Sequence, residues 1–265
     1  MDERILSYLL GSDLVDARLE PFVQLRHGKS SLADLVLDDG LSTRLLNLAV
    51  SYRERGLVCH LYGTPGVGRK TVAEALCLEM ERPLLMVDLG QVTMADVNVE
   101  QLMMLAFREA SLQDAPVFLS GFGQLGREDK AAKRLYDCVT REIDKHRQWV
   151  FLSGEQAWQP KGVWHQKEYI SIGLGNPSYS LRRRLWEKYS GSGERGDISE
   201  EDMNELAGRF RLTAGQTVDA ISTARTLAGW SHPAQPATTA ADLFAACRNG
   251  SREALNSQTR KIQPR

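Results

Sequence analysis

Short apolar runs alternate with amphipathic stretches over residues 41–176, the pattern of βαβ units built around a parallel sheet. Five runs are brief and rich in Val, Leu, Ile or aromatic residues: Leu57–Tyr62, Leu84–Asp88, Val117–Ser120, Val150–Ser153 and Tyr169–Ile172. Such composition suits strands buried on both faces. Between them the spacing predicts helices over Leu41–Arg55, Lys70–Glu81, Val99–Ser111 and Asp129–Arg147. In the last, Ala132, Leu135, Val139 and Ile143 recur at intervals of three and four and form one stripe facing the sheet. Right-handed crossovers place helices on both faces, so the expected core is a three-layer αβα domain with a five-stranded parallel sheet.

After Gly173-Leu174-Gly175-Asn176-Pro177 no further strand is expected, and helical patterns cover Tyr179–Tyr189, Ser199–Phe210, Ala214–Leu227 and Ala240–Ser257. Ser199, with Glu200, Glu201 and Asp202 behind it, is a helix N-terminus favoured by its macrodipole. The division is therefore an N-terminal linker over 1–40, an α/β core over 41–176, a small all-helical domain over 177–250 and a polar, basic tail over 251–265 with Arg260, Lys261 and Arg265.

The 265 residues suffice for one large or two modest domains, and 33 basic against 34 acidic side chains leave a net charge of −1. That balance argues against a globally basic nucleic-acid binder. With 42% apolar and 25% charged residues the chain is an ordinary globular protein, not a disordered one. No apolar run nears the roughly 20 residues that span a bilayer, and Met1-Asp2-Glu3-Arg4 lacks the layout of a secretory signal. Cys59, Cys77, Cys138 and Cys247 form no Cys-x-x-Cys pair, so free thiols in a reducing cytoplasm are expected and no metal site is. His60, inside an apolar run, is read as a core histidine.

One motif carries chemistry. Gly63-Thr64-Pro65-Gly66-Val67-Gly68-Arg69-Lys70-Thr71 follows a predicted strand and opens a predicted helix. It nearly matches the phosphate-binding loop Gly-x-x-x-x-Gly-Lys-[Ser/Thr], whose glycines let successive amides face phosphate oxygens. Counting from Gly63, however, the lysine position holds Arg69 and the metal-binding hydroxyl position holds Lys70. Slipping the register by one residue, so that Lys70 and Thr71 serve, would turn the helix by ~100° and lift it by ~1.5 Å. The unbroken apolar phase of Val72, Ala73, Ala75 and Leu76 argues against that slip. The loop is expected to cradle the phosphates of ATP or ADP weakly or not at all, with its Mg²⁺ chemistry lost.

Leu61–Gly68, with Ala73-Glu74-Ala75-Leu76 behind it, resembles the Walker A segment of the AAA+ ATPases, and the likeness extends over residues 41–245. It implies an α/β core with a four-helix lid. More narrowly, the chain is similar to the degenerate first AAA+ module of bacterial tandem AAA proteins, preceded by a winged-helix region and followed by an intact ATPase module. The chain is accordingly expected to be a piece of a longer protein.

The resemblance also implies positions for the catalytic groups. Ser120 and Gly121 stand where a Walker B Asp-Glu would end the third strand. Val150–Ser153 runs into Gly154-Glu155 where a polar sensor is expected, Gly162–Glu168 holds no arginine finger, and Val218 takes the place of a lid arginine. No catalytic residue is assigned. Arg182-Arg183-Arg184 is read as a solvated face, Met103 and Met104 as helix core, Trp149, Trp158 and Trp164 as packing residues, and Asp88 as a cap; Glu155 has no role assigned. The expected function is a catalytically degenerate AAA+ module supporting an active ATPase module, cytoplasmic, without nucleic-acid or membrane partners, and a monomer in isolation. The alternative is a working Mg²⁺-dependent ATPase with a variant Walker A.

Overall fold

The structure is a computed structural model and describes residues 2–12, 14–124, 130–160, 164, 167–190, 198–231 and 238–260, with 124, 130, 131, 231 and 251–260 as backbone only. The chain forms two compact units. One comprises residues 1–35, 39–64 and 69–174; the other comprises 36–38, 65–68 and 175–265.

In the first unit the elements run α1 (Glu3–Leu9), β1 (Val23–Arg26), α2 (Leu41–Ser51), β2 (Leu57–Tyr62), α3 (Arg69–Glu79), β3 (Leu84–Asp88), α4 (Leu89–Met94), α5 (Val99–Leu112), β4 (Val117–Ser120), α6 (Lys130–Lys145), β5 (Val150–Gly154) and β6 (Glu168–Gly173). The sheet order is β1-β3-β4-β5-β2-β6. All neighbours are parallel except β1, which pairs antiparallel with β3 from Val23↔Val87 to Arg26↔Leu84. The sheet therefore has six strands rather than the expected five. Val23-Gln24-Leu25-Arg26 is short and half polar, as an edge strand is, so it lacks the continuous apolar run that marks the buried strands.

Val58, Val87, Val117, Leu119, Val150 and Leu152 pack with Met103, Ala106, Leu135, Val139 and Ile143 from α5 and α6. The alternate residues Cys59, Leu61, Phe118 and Phe151 are equally buried, so the sheet is covered on both faces. The stripe expected on α6 is buried throughout, from Ala132 to Ile143; Asp129, at its expected start, lies outside the described residues. Met104 differs from the expectation: it faces solvent at 54% exposure, because one position beyond the buried Met103 turns the side chain off the core face.

Residues 1–40 are more than a linker. They supply β1 and a buried ion pair in which the Arg4 guanidinium donates to both carboxylate oxygens of Glu109 on α5, at 2.9 and 2.6 Å.

The second unit holds α7 (Tyr179–Ser190), α8 (Glu200–Arg209), α9 (Ala214–Ser231) and α10 (Ala240–Arg260). Its core joins Trp186, Leu206, Phe210, Ile221, Ala224, Leu243 and Cys247. Ser199 caps α8 in a reciprocal box with Asp202. The basic run on α7 serves the fold: Arg182 donates to the carbonyls of Ala207 and Pro177, and Arg183 pairs with Glu187 one turn on. Residues 191–197 and 261–265, including Lys261 and Arg265, lie outside the described residues.

Candidate functional site

The glycine loop leaves β2 at Tyr62 and enters α3 at Arg69. Gly63, Gly66 and Gly68 have φ of 150°, 85° and 96°, a backbone path open to glycine and strained for other residues. With Arg69 the first helical residue directly after Gly68, no extra residue enters the first turn. Arg69 and Lys70 thus hold the places counted from Gly63, ahead of Thr71.

Two groups of the first unit converge on one oxygen. The Gly63 amide donates to the Gly154 carbonyl at 3.2 Å, and the Arg69 guanidinium donates to the same carbonyl. Arg69 also lines a cavity of about 420 Å³ with Gly121, Gly123, Ser153, Glu155, Gln156 and Trp158. Burial there holds the guanidinium below its ordinary range, and the nearby Glu155 carboxylate opposes the shift.

The end of β4 is built from backbone and small side chains. Ser120 Oγ donates to the Val87 carbonyl on β3 at 3.2 Å, so the hydroxyl serves the sheet. Gly121 has φ of 77°. A Cβ on Gly123 would lie 3.1 Å from Gly154 Cα, so the turn after β4 rests directly on the end of β5. Asp88, at the end of β3, accepts from the Gly90 and Gln91 amides and caps α4, as its sequence position suggested.

Beneath this end of the sheet His60 is fully buried. Its Nδ1 lies 3.2 Å from Ser171 Oγ, its Nε2 has no partner, and the ring stacks on Tyr62 and meets Trp158 edge-on. Burial first, and the Arg69 charge second, lower its pKa to about 4, so the ring is neutral at pH 7. Of the stretch expected to lack an arginine finger, Gly162, Val163, His165 and Gln166 lie outside the described residues. Lys167 turns into the fold, where Nζ donates to the Gln148 carbonyl at 3.1 Å.

In the second unit the loop residues Pro65–Gly68 group with the helices. The Gly215 amide donates to the Gly66 carbonyl at 2.8 Å. Thr213 Oγ1 would stand 2.4 Å from any Cβ on Gly66, and a Cβ on Gly215 would lie 3.1 Å from the Gly66 carbonyl oxygen. Thr213 and Gln216 cap α9 reciprocally, which fixes where Gly215 sits. Thr213, Gly123 and Gly154 were not legible as site residues from the motif. Only Gly215 had a signal, as part of the Ala-Gly pair preceding Val218, itself 40% exposed.

The turn after β4 carries no carboxylate at 120 or 121, and an ammonium stands at position 70. Among the described residues, no three His, Cys, Asp or Glu side chains are grouped as a metal would need.

Residues 59–190 match the family profile described as "ATPase family associated with various cellular activities (AAA)". The chain contains an AAA ATPase-type domain. Residues 178–253 match a second profile, the "Contractile injection system ATPase helical domain", so the two profiles meet on α7. Among solved structures, the FIGL-1 AAA domain matches with a TM-score of 0.68 and 14% identity over 100% of this chain and 97% of that one. Its complex with ADP gives 0.66 at 13% identity over 99% and 97%. A structure described as the basis for katanin self-assembly gives 0.63 at 15% identity over 90% and 93%. At such identities the likeness is one of fold: an AAA domain with a mostly parallel six-stranded sheet. No curated protein matches the chain.

Proposed function

We propose that this chain is a catalytically degenerate AAA module that acts as a structural or regulatory partner of an active ATPase module, binding nucleotide weakly or not at all. The observation that carries the reading is the end of β4. Ser120 spends its hydroxyl on the Val87 carbonyl, and Gly121 turns the backbone to φ 77°. Neither position offers a carboxylate to hold Mg²⁺ or accept a proton from water. Loss of a general base costs about 10²–10⁴-fold in rate, and loss of an arginine finger about 10³–10⁵-fold. The glycine loop and Arg69 remain as the nucleotide-facing remnant, at Gly63, Thr64, Pro65, Gly66, Val67, Gly68, Arg69, Lys70 and Thr71.

The match of residues 178–253 to a helical domain of contractile injection system ATPases supports placing this chain's own helical unit in a protein of that kind. We place this module first in a tandem AAA protein of the bacterial cytoplasm, behind a winged-helix region. Its four cysteines are buried and none is in a disulfide, as suits a reducing compartment. The decisive measurement is Mg²⁺-dependent ATP turnover by the purified chain, with Arg69→Ala and Lys70→Ala alongside. Turnover at background in all three is expected. A rate that either substitution abolishes would establish the working ATPase instead.

A further inference from the structure

We infer that the cavity at the ends of β4 and β5 binds a free aromatic α-amino acid, with its carboxylate at Arg69, its ammonium at Glu155 and its ring against Trp158. The cavity holds about 420 Å³, within the range of about 300–1,000 Å³ found for small-molecule sites. All its lining residues belong to the α/β unit, and none is among residues 63–68 of the glycine loop. The site is therefore independent of whether that loop takes phosphate.

Two opposite charges line this cavity without pairing. The Arg69 guanidinium gives Nη1 to the Gly154 carbonyl, and among the described residues its other edge, Nε and Nη2, has no acceptor. That edge is a planar fork matched to a carboxylate. The Glu155 charge acts on Arg69 only through space. A lone carboxylate entering here is repelled by Glu155 and a lone amine by Arg69, whereas a molecule carrying both charges is attracted at both ends. Buried polar groups around the cavity also lack partners. Ser153, only 7% exposed, lines it, and its hydroxyl has no hydrogen bond among the described residues. His60 Nε2 is unpartnered behind Gly154, where a Cβ would stand 2.8 Å from it. Such groups are ordinarily satisfied, so their vacancy marks a place for ligand atoms or water.

Shape favours a flat side chain. Gly121, Gly123 and Gly154 leave the wall as bare backbone that a ring approaches closely. Trp158 meets the rings of His60, Phe122, Trp164 and Tyr169 edge-on, and the Tyr169 hydroxyl donates to its carbonyl. The indole is thus fixed in place before a ligand arrives, which spares the cost of ordering it, and an aromatic ligand adds one more ring contact. The test is calorimetric titration of L-phenylalanine into the chain, beside phenethylamine, 3-phenylpropionate and L-alanine, with Glu155→Gln and Ser153→Ala variants and thermal melts of each. L-phenylalanine is expected to bind with a Kd below about 1 mM, and each analogue about tenfold or more weakly. Glu155→Gln should lose about tenfold in affinity for L-phenylalanine while holding 3-phenylpropionate as well as the parent or better, since the repulsion of a lone carboxylate is gone. A merely structural role for Glu155 would not separate the two ligands. Ser153→Ala should weaken L-phenylalanine by about threefold or more.

The analogue series on the parent chain decides by itself even where a substitution unfolds the protein. Absence of L-phenylalanine binding, by heat and by melting shift alike, overturns the inference. So does 3-phenylpropionate or phenethylamine binding as tightly as L-phenylalanine, or a folded Glu155→Gln chain that leaves both affinities unchanged. Inorganic tripolyphosphate, added without Mg²⁺, is expected to leave bound L-phenylalanine in place. Displacement would make the cavity part of a phosphate site and overturn the inference as well.

Discussion

On the proposed reading, Gly121 shows at the scale of one residue why restoring carboxylates at the end of β4 is not a single exchange. Its φ of 77° lies where an L side chain costs roughly 1–2 kcal/mol. Ser120→Asp with Gly121→Glu would place two carboxylates in the sequence order of an AAA ATPase while straining the turn that carries the second. The double variant is expected to lose about 1–3 kcal/mol in urea unfolding and to show no Mg²⁺-dependent ATP turnover above the parent. Turnover rising tenfold would mean that the turn relaxes and the loss of function is only chemical. Residue types at 69, 70, 120 and 121 were legible from the motif and its register. The left-handed turn at Gly121 and the Ser120–Val87 bond were not, since glycine and serine are ordinary at the end of any strand.

At the scale of elements, the N-terminal helix inverts the usual amphipathic logic. Leu6, Leu9 and Leu10 of α1 and its cap are exposed, while Arg4 is buried against Glu109 on α5, itself fully buried. The helix is held to the α/β unit by a bidentate ion pair, reinforced by Arg108 bridging Asp2 and Asp16 at 2.8 and 2.9 Å. Removing one partner of such a pair leaves an uncompensated buried charge and costs about 3–5 kcal/mol. Arg4→Ala should therefore destabilise far more than Arg4→Ala combined with Glu109→Leu, and limited proteolysis should cut the first 16 residues sooner in the single variant. Equal cleavage and equal unfolding midpoints would count against the pair as the anchor. The sequence could not disclose this, because a periodicity reading assigns the leucines inward and the arginine outward. β1 escaped for a related reason: four residues of alternating character become a strand only when β3 offers an open edge.

For the whole molecule, buried histidines set a pH dependence. His60 and His146 both have pKa values lowered to about 4 from 6.5, chiefly by burial. Neutral in the fold, they take up protons in the unfolded chain first. Stability is then full above pH 6.5 and falls as pH drops from 6.5 towards 4, by about 1.4 kcal/mol per pH unit for each histidine. Below that range Asp2, held at about 2 by the Arg108 guanidinium, extends the loss as it protonates between its ordinary 3.8 and 2. Urea midpoints at pH 7.0, 5.5 and 4.5 test this. His146→Gln should reduce the slope by about half, and a flat profile would refute neutral burial.

The pattern of apolar runs was enough to place the parallel strands β2 to β5 and the principal helices behind them, because burial on both faces imposes continuous hydrophobicity and helices on a core impose a stripe; β6 was also placed, although it is an edge strand with no buried residue rather than one covered on both faces. The spacing of glycines likewise determined that a glycine loop joins β2 to α3, since glycine tolerates the φ values it needs. What the loop now touches was settled by the tertiary structure alone. The Gly154 carbonyl comes from a strand some 90 residues away and Gly215 from a helix more than 145 residues away. Such meetings depend on strand order and close backbone approach, and neither leaves a periodic mark in the chain.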